Sequence, residues 1–496
     1  MANHHSMARF LRPLARRCII AGCLILLVAG GATTPAAQPG LDSSGSATGA
    51  DAVITLPEAV GKALASNHGL AAAREGYRAA TWAHRQAKAN LLPSISLESS
   101  YTRLDDETVA RANAFGREIT MFFPDSTGQL QPFTIQIPQT VFRDGYQTSV
   151  NGQLLVLNPA VWNGVGLAGA AKGMAEGERN LAVQRAVHQT VRAYTELLKM
   201  RSLSLLQEDH VAQAERNLAQ AERLAGVGRY GEADVLRWHV EVAQQRGLLA
   251  DTRRGLRVAS LTLENLLGLD PKGITQADSS LPGSLRNAVD HYRNLDAKGW
   301  DEFLNRSLQD VVVRNPQLDV LAQSQALARL QHRQSLTSFL PSMTIAGSYG
   351  WQNNDTPEMD GEKTWSLTAA VSVPLFTSFS NLSGYQNTKH KARQAQEASH
   401  DARRGILLAA EAARTAMRSA AVHLDLAETG LISARRNYEI QQNRFTLGRL
   451  GNLEWIDANL ALRLSEQGYH TSYYDLVLAI ADYYEAMGEI LALLEE

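Results

Sequence analysis

Sliding the sequence along itself by 248 positions lays Asn67-His68-Gly69-Leu70 on Asn315-Pro316-Gln317-Leu318. Without a gap, the same shift lays His84-Arg85-Gln86 on His332-Arg333-Gln334, Leu92-Pro93-Ser94 on Leu340-Pro341-Ser342, and Ser100-Tyr101 on Ser348-Tyr349. A second shift, of 220, lays Gly228-Arg229-Tyr230-Gly231 on Gly448-Arg449-Leu450-Gly451, and Gly268 on Gly488. The chain is thus a tandem duplication of a unit of about 200 residues, far longer than a solenoid repeat. The change of shift assigns the first copy a longer insert between its strands.

Each copy reads in the same order. Residues 56–91 are Ala-rich with interspersed charge, a helical pattern. Thr55-Leu56-Pro57-Glu58 fits a capping box with Pro in the first turn. Leu92-Pro93 ends this helix, because Pro disfavours helical geometry in the residue before it. Two strand-like segments follow, then a very long helix over 160–225, a Gly-rich turn at 226–231 and a shorter helix over 232–267. The second copy predicts a helix over 301–339, strands near 342–352 and 363–375, a long helix over 383–446, a turn at 447–451 and a helix over 452–490. At 1.5 Å per residue the long helices reach about 100 Å, and two short helices end to end match one long one. A tall helical cylinder satisfies this arithmetic and a compact globule does not.

The strands alternate. Ile95, Leu97 and Tyr101 oppose Ser94, Ser96, Glu98 and Ser100. Tyr146, Val150 and Leu154 oppose Gln147, Ser149, Asn151 and Gln153. Met343, Ile345, Tyr349 and Trp351 oppose Ser342, Thr344 and Ser348, while Trp365, Leu367, Ala369, Val371 and Val373 oppose Thr364, Ser366, Thr368 and Ser372. Four half-buried strands of a soluble sheet would show such alternation. Export, uniform alternation and aromatics at matching strand ends favour instead the apolar-out, polar-in face of a transmembrane barrel. Four strands cannot enclose water, since about eight are needed merely to fill a barrel with side chains. Lipid tolerates no open sheet edge. The chain is therefore expected to oligomerise through its strands, a trimer giving twelve.

Export is read from the leader. Arg9, Arg12, Arg16 and Arg17 precede an apolar run from Cys18 to Ala29, followed by Gly30, Gly31 and Ala32. This is the pattern of a secretory signal peptide over 1–32. Ile20-Ala21-Gly22-Cys23 also resembles a lipoprotein cleavage box, making Cys23 a lipidation candidate, although the apolar run continues past it. Residues 33–52, rich in Ala, Ser, Gly, Thr and Pro, read as a flexible tether. No later stretch approaches 18 apolar residues. The only cysteines are Cys18 and Cys23, so the rest of the chain has neither a disulfide framework nor a Cys-based metal site. Lys and Arg total 48 against 50 Asp and Glu, which gives no support for nucleic-acid binding. Thirteen scattered histidines, with no phosphate loop or nucleophile elbow, argue against an enzyme.

With its duplicated Leu-Leu-Pro-Ser-Ile-Ser and Phe-Leu-Pro-Ser-Met-Thr junctions (91–96, 339–344), Val371-Ser372-Val373-Pro374-Leu375-Phe376, and two Gly-containing tips with acids downstream, the chain resembles the TolC family of outer-membrane efflux proteins over roughly residues 52–492. The resemblance implies a membrane α+β fold: a homotrimer with a 12-stranded outer-membrane β-barrel, four strands per chain, continuing into a long α-helical periplasmic barrel. It implies a passive exit duct for efflux or type I secretion, docked on a periplasmic adaptor (membrane fusion) protein and an inner-membrane transporter. No cofactor or metal is expected. The first copy would span 53–269, an equatorial linker 270–300 and the second copy 301–492. A soluble periplasmic coiled-coil adaptor or scaffold is the other class of protein that the helices allow.

The candidate sites lie at the helix–helix tips. Glu454 and Asp457, spaced i and i+3, share one helix face. In the resemblance they match the acidic rings of the periplasmic constriction, where converging carboxylates would attract cations. Acids in the first turns of a helix also favour its positive end, and Glu232 and Asp234 fit that account equally well. Asp234 matches a position that helps latch the closed tip. Phe445 stands where the family has a tyrosine, and Leu450 where it has an arginine, with Arg229 and Arg449 as candidate substitutes. The motif Gly228-Arg229-x-Gly231, repeated as Gly448-Arg449-x-Gly451, is the candidate docking site for the adaptor. Gly228 and Gly448 are equally suited to ending helices.

Overall fold

The structure, a computed structural model, describes residues 53–113, 119–124, 126–135, 141–273, 275, 277–278, 281–306, 315–354, 356–447 and 449–494. The expected signal peptide, tether and Cys23 lie outside the described residues, as does Gly448.

The chain opens with α1 (Leu56–Ser66), which begins with the capping box: the Thr55 amide donates to Glu58 Oε2 at 3.0 Å, and the Glu58 amide to Thr55 Oγ1 at 3.5 Å. The 56–91 helical pattern is not one helix. Asn67 leaves helical geometry and its Oδ1 accepts from the Leu70 amide at 3.0 Å, starting α2 (His68–Ala89). Strand β1 (Ser94–Arg103) follows. The next strand of the same sheet, β4 (Asp144–Leu157), comes only after α3 (Asp106–Ala112) and a separate hairpin of β2 (Ile119–Pro124) and β3 (Leu130–Ile135). There are thus six described strands rather than four. The extra pair lacks clean alternation and carries Pro124 and Pro132, which obscure it in the sequence. Asp105 caps α3. Its Oδ1 accepts from the Thr108 amide at 2.8 Å, and Thr108 holds the carboxyl below its ordinary pKa through its hydroxyl and amide.

The chain continues through α4 (Pro159–Gly226, 68 residues) and α5 (Glu232–Leu266). Residues 270–300, expected as a linker, carry α6 (Gly283–Arg293) and the start of α7 (Ala297–Asn305). The helix expected over 301–339 is interrupted likewise. It resumes as α8 (Pro316–Thr337), because Asn315, aligned with Asn67, caps it and Pro316 takes its first position. Then come β5 (Ser342–Asn353), β6 (Glu362–Ser372), α9 (Ser380–Thr446, 67 residues) and α10 (Asn452–Met487).

Each long helix is flanked by short ones over its two halves. On the strand side α4 packs against α2 and α8, and on the far side against α5 and α10. Helix α9 packs on α8 and α10 in the same manner. Being packed on several sides, α4 spreads its apolar residues around its circumference. Its approach to α8 is close: a Cβ added at Gly177 would lie 2.8 Å from Val320 Cγ2, and one at Gly173 would lie 2.9 Å from the Gln323 side chain. The two glycines, four residues apart, share one face.

The main core lies midway along the helices. Leu56, Tyr194, Leu197, Leu263, Leu285, Trp300, Leu424, Leu476 and Ile490 meet there from α1, α4, α5, α6, α7, α9, α10 and the C-terminal turn. Two charged groups organise this belt. Glu264 is buried and accepts from the amides of Lys272, Gly273 and Thr275 and from the Thr275 hydroxyl. Arg414 donates to the carbonyls of Phe303, Leu304 and Arg306, closing the C-terminal end of α7, where a cation is favoured.

The sheet order is β1–β4–β5–β6, every neighbouring pair antiparallel, so β4–β5 pairing joins the two copies.

Candidate functional site

Two regions carry chemistry, the sheet and the helical tips farthest from it. In the sheet, register settles what alternation suggests. Leu97 pairs with Val150, Val150 with Tyr349, and Tyr349 with Trp365, one apolar row across all four strands. The adjacent row is Ser96, Asn151, Ser348 and Ser366, on the opposite face. The apolar face is bare: Ile95 is 76% exposed, Leu97 58%, Trp365 76% and Leu367 71%. The polar face lines a shallow concavity of about 290 Å³ that includes Glu98 and Gln153. Such a curled sheet, greasy outside and hydroxylated within, suits lipid on one side and water on the other. No helix among the described residues is long and apolar enough to cross a membrane.

At the tips the two copies share a backbone hydrogen bond. Helix α4 ends with Gly228 at φ +72, and the Arg229 amide donates to the Leu224 carbonyl at 2.9 Å. An added Cβ at Gly228 would meet nothing, so backbone conformation alone calls for glycine there. In the second copy the Arg449 amide donates to the Arg444 carbonyl at 2.9 Å, the same bond. Gly231 and Gly451 then start α5 and α10 as extended N-caps. Arg229 and Arg449 are both exposed, as are Val227 and Leu447 two residues before them.

Of the acids, Asp234 is the one engaged across the tips. Its Oδ2 accepts from the Gly231 amide at 3.2 Å, capping α5, and its Oδ1 accepts from Asn452 Nδ2 at 3.2 Å. Asn452 Oδ1 in turn accepts from Trp238 Nε1 at 2.7 Å. The tie thus runs Asp234–Asn452–Trp238, from the first tip to the second and back. Glu454 lies over the start of its own helix, since a Cβ added at Gly451 would overlap its carboxylate. Asp457 is exposed one turn on, beside Glu454, while Trp455, Ala458 and Asn459 face inward. Glu454 and Asp457 are therefore together on an open face, and Asp234 is turned to Asn452 rather than to them.

Phe445 is buried, stacked on Trp455 at 5.0 Å between ring centroids and edge-on to Tyr230 at 6.2 Å. Tyr438 joins Trp455 at 5.0 Å, and Leu450 packs on the cluster. Burial, followed by the nearby Asp234 charge, pushes the Tyr230 phenol up to about 12. Aromatic packing joins the two tips of the chain at Phe445 and Leu450, the positions where the resemblance leads one to look for a tyrosine and an arginine.

Sequence reasoning missed Asn452, Trp238 and the next layer up. There Arg463 pairs with Glu241, both nearly buried, and burial lowers the Arg463 pKa against the opposing pull of Glu241. Gln245 Nε2 donates to Glu241 Oε1 at 2.8 Å, and Gln207 Nε2 to Gln245 Oε1 at 2.8 Å. The signal available was Asn452 directly after the repeated Gly-Arg-x-Gly, a polar residue at a buried helix start. Higher still, α4 and α10 meet along a polar seam that runs Asn217–Asn459, His210–Glu466, Ser202–His470, Lys199–Asp475 and His188–Asp482.

The family described as outer membrane efflux protein matches residues 59–269 and 307–489. The fold is similar to that of the Campylobacter jejuni CmeC outer membrane channel, at 16% identity and a TM-score of 0.72, with 88% of this chain and 86% of that chain covered. It is similar to VceC of Vibrio cholerae at 15% identity and a TM-score of 0.69, covering 87% and 96%. The open state of Neisseria gonorrhoeae MtrE matches at 16% identity and a TM-score of 0.65, covering 88% and 89%. No curated protein sequence matches the chain. The family match takes in both copies, with the sheet and both tips, and the chain belongs to the outer membrane efflux protein family.

Proposed function

We propose that three copies of this chain close their four-stranded sheets into a 12-stranded barrel in the outer membrane, continued by their helices as a barrel through the periplasm. The assembly is a passive exit duct of a tripartite efflux or type I secretion system. The observation that carries this reading is the register of the sheet, which sets one uncharged apolar row against a polar row while leaving β1 and β6 as edges without a strand partner among the described residues. Unpaired edges cannot sit in lipid, and pairing β6 of one copy with β1 of the next removes all of them at once. A soluble scaffold would leave Ile95, Trp365 and Leu367 in water.

In the trimer the exposed pair Glu454 and Asp457 would recur three times around one axis, at the periplasmic mouth. The tips with Gly228, Arg229 and Gly231, and with Gly448, Arg449 and Gly451, are the seats for a periplasmic adaptor that links the duct to an inner-membrane transporter. Asp234 acts beside them by tying the tips of one chain together.

Fractionation tests this reading. The mature chain should enter the outer-membrane fraction and run on gels as a trimer that heating converts to a monomer. A stable monomer in the soluble fraction, without detergent, would overturn it.

A further inference from the structure

The connection from β1 to β4 holds the β2–β3 hairpin, which has no counterpart among the described residues of the second copy. Its base is pinned: Asn113 Nδ2 donates to the Val141 carbonyl at 2.8 Å, and Asn113 Oδ1 accepts from the Val141 amide at 3.2 Å. The Leu104 amide, just past the end of β1, donates to the Arg143 carbonyl at 2.8 Å. Neither strand of the hairpin contains a charged residue. Phe122, Phe123, Leu130 and Phe133 are each more than half exposed. Met121 pairs with Phe133, and Phe123 meets Phe133 edge-on at 6.2 Å, so one face is mainly apolar and aromatic, with Gln131 opposite Phe123 as its polar member.

No simple solvent suits this element. A two-stranded hairpin is at best marginal in water, and an exposed aromatic face adds to the cost. Lipid would cover the side chains but not the two edges of the two-stranded sheet, which have no strand partner among the described residues. A protein surface satisfies both. The hairpin springs from the end of β1, a free edge of the main sheet, and closing the barrel brings another copy to that edge.

We infer that the β2–β3 hairpin docks its Phe123–Phe133 face on a second copy of this chain, forming a collar at the outer rim of the assembly. The inference rests on the trimeric reading above.

The test places photoreactive benzoylphenylalanine at position 133 of the full-length protein in its native membrane. Irradiation should yield an adduct of chain on chain, identified by mass spectrometry. Introducing Phe123→Glu in the same face should cut the yield about tenfold or more, because the charge cannot be buried unpaired. An adduct with lipid, an adduct with another protein, or no intermolecular adduct would overturn the docking. Light scattering on the unirradiated, detergent-extracted protein separates the two failures. A trimer lacking the adduct refutes the collar alone, whereas a monomer refutes the trimeric reading and the collar with it.

Discussion

Asn452 holds the tips through both ends of its amide, donating a hydrogen bond to Asp234 and accepting one from Trp238. Asn452→Leu keeps the bulk and removes both bonds. Trp238 is fully buried, so its Nε1 would be left without an acceptor at a cost of about 1–3 kcal/mol. Amides of residues 228–238 should then exchange with solvent roughly tenfold faster or more, with the middle of α4 unchanged as the control. Equal rates in the two proteins would show that the tie contributes nothing. Such a residue is hard to read from sequence because its partners lie 218 and 214 positions away. Thr55 and Glu58 are legible because their bonds close within three residues, and the alignment of Asn67 with Asn315 points to a shared local role that both fulfil as helix caps.

The α4–α10 seam is an element-scale device, with α4 contributing His188, Lys199, Ser202 and His210 and α10 contributing Glu466, His470, Asp475 and Asp482. The His210 hydrogen bond holds the Glu466 carboxyl below 4.5, against desolvation and with help from Arg435. At Asp482, burial pushes upward, but hydrogen bonds from His188 and Arg192 outweigh it and keep the carboxyl below 3.8. Both groups bind protons less readily folded than unfolded. Their stabilisation is complete above those ordinary values and is lost as pH falls through the lower folded ones. Spin labels on exposed positions of α4 and α10 should hold their separation at neutral pH and spread below about pH 4. Glu466→Gln should flatten that response, and an unchanged profile would remove the seam's role in it. Alternation made β1, β4, β5 and β6 legible because one face of each is mostly apolar and the other mostly polar. The β2–β3 hairpin mixes apolar and polar residues on both faces, so no period of two survives, and α6 is masked by the Pro and Gly of its surroundings.

At the scale of the whole molecule, two open faces await partners. Three copies of Glu454 and Asp457 around one axis would form a field that draws cations. Glu454→Ala with Asp457→Ala should lower cation selectivity in planar bilayers, and unchanged selectivity would remove the gate assignment. Arg229 and Arg449 stand exposed at the tips with no ion pair among the described residues, so Arg229→Glu with Arg449→Glu should abolish adaptor cross-linking without dispersing the oligomer. Intact cross-linking would count against docking there. The duplication adds a condition on any such partner. The first tip offers Val227 and Arg229 over the half-buried Tyr230, where the second offers Leu447 and Arg449 over the half-buried Leu450. Around a closed ring the two would alternate, so a protein gripping this end finds two unlike footholds per subunit, and it must either favour one or present a different grip to each.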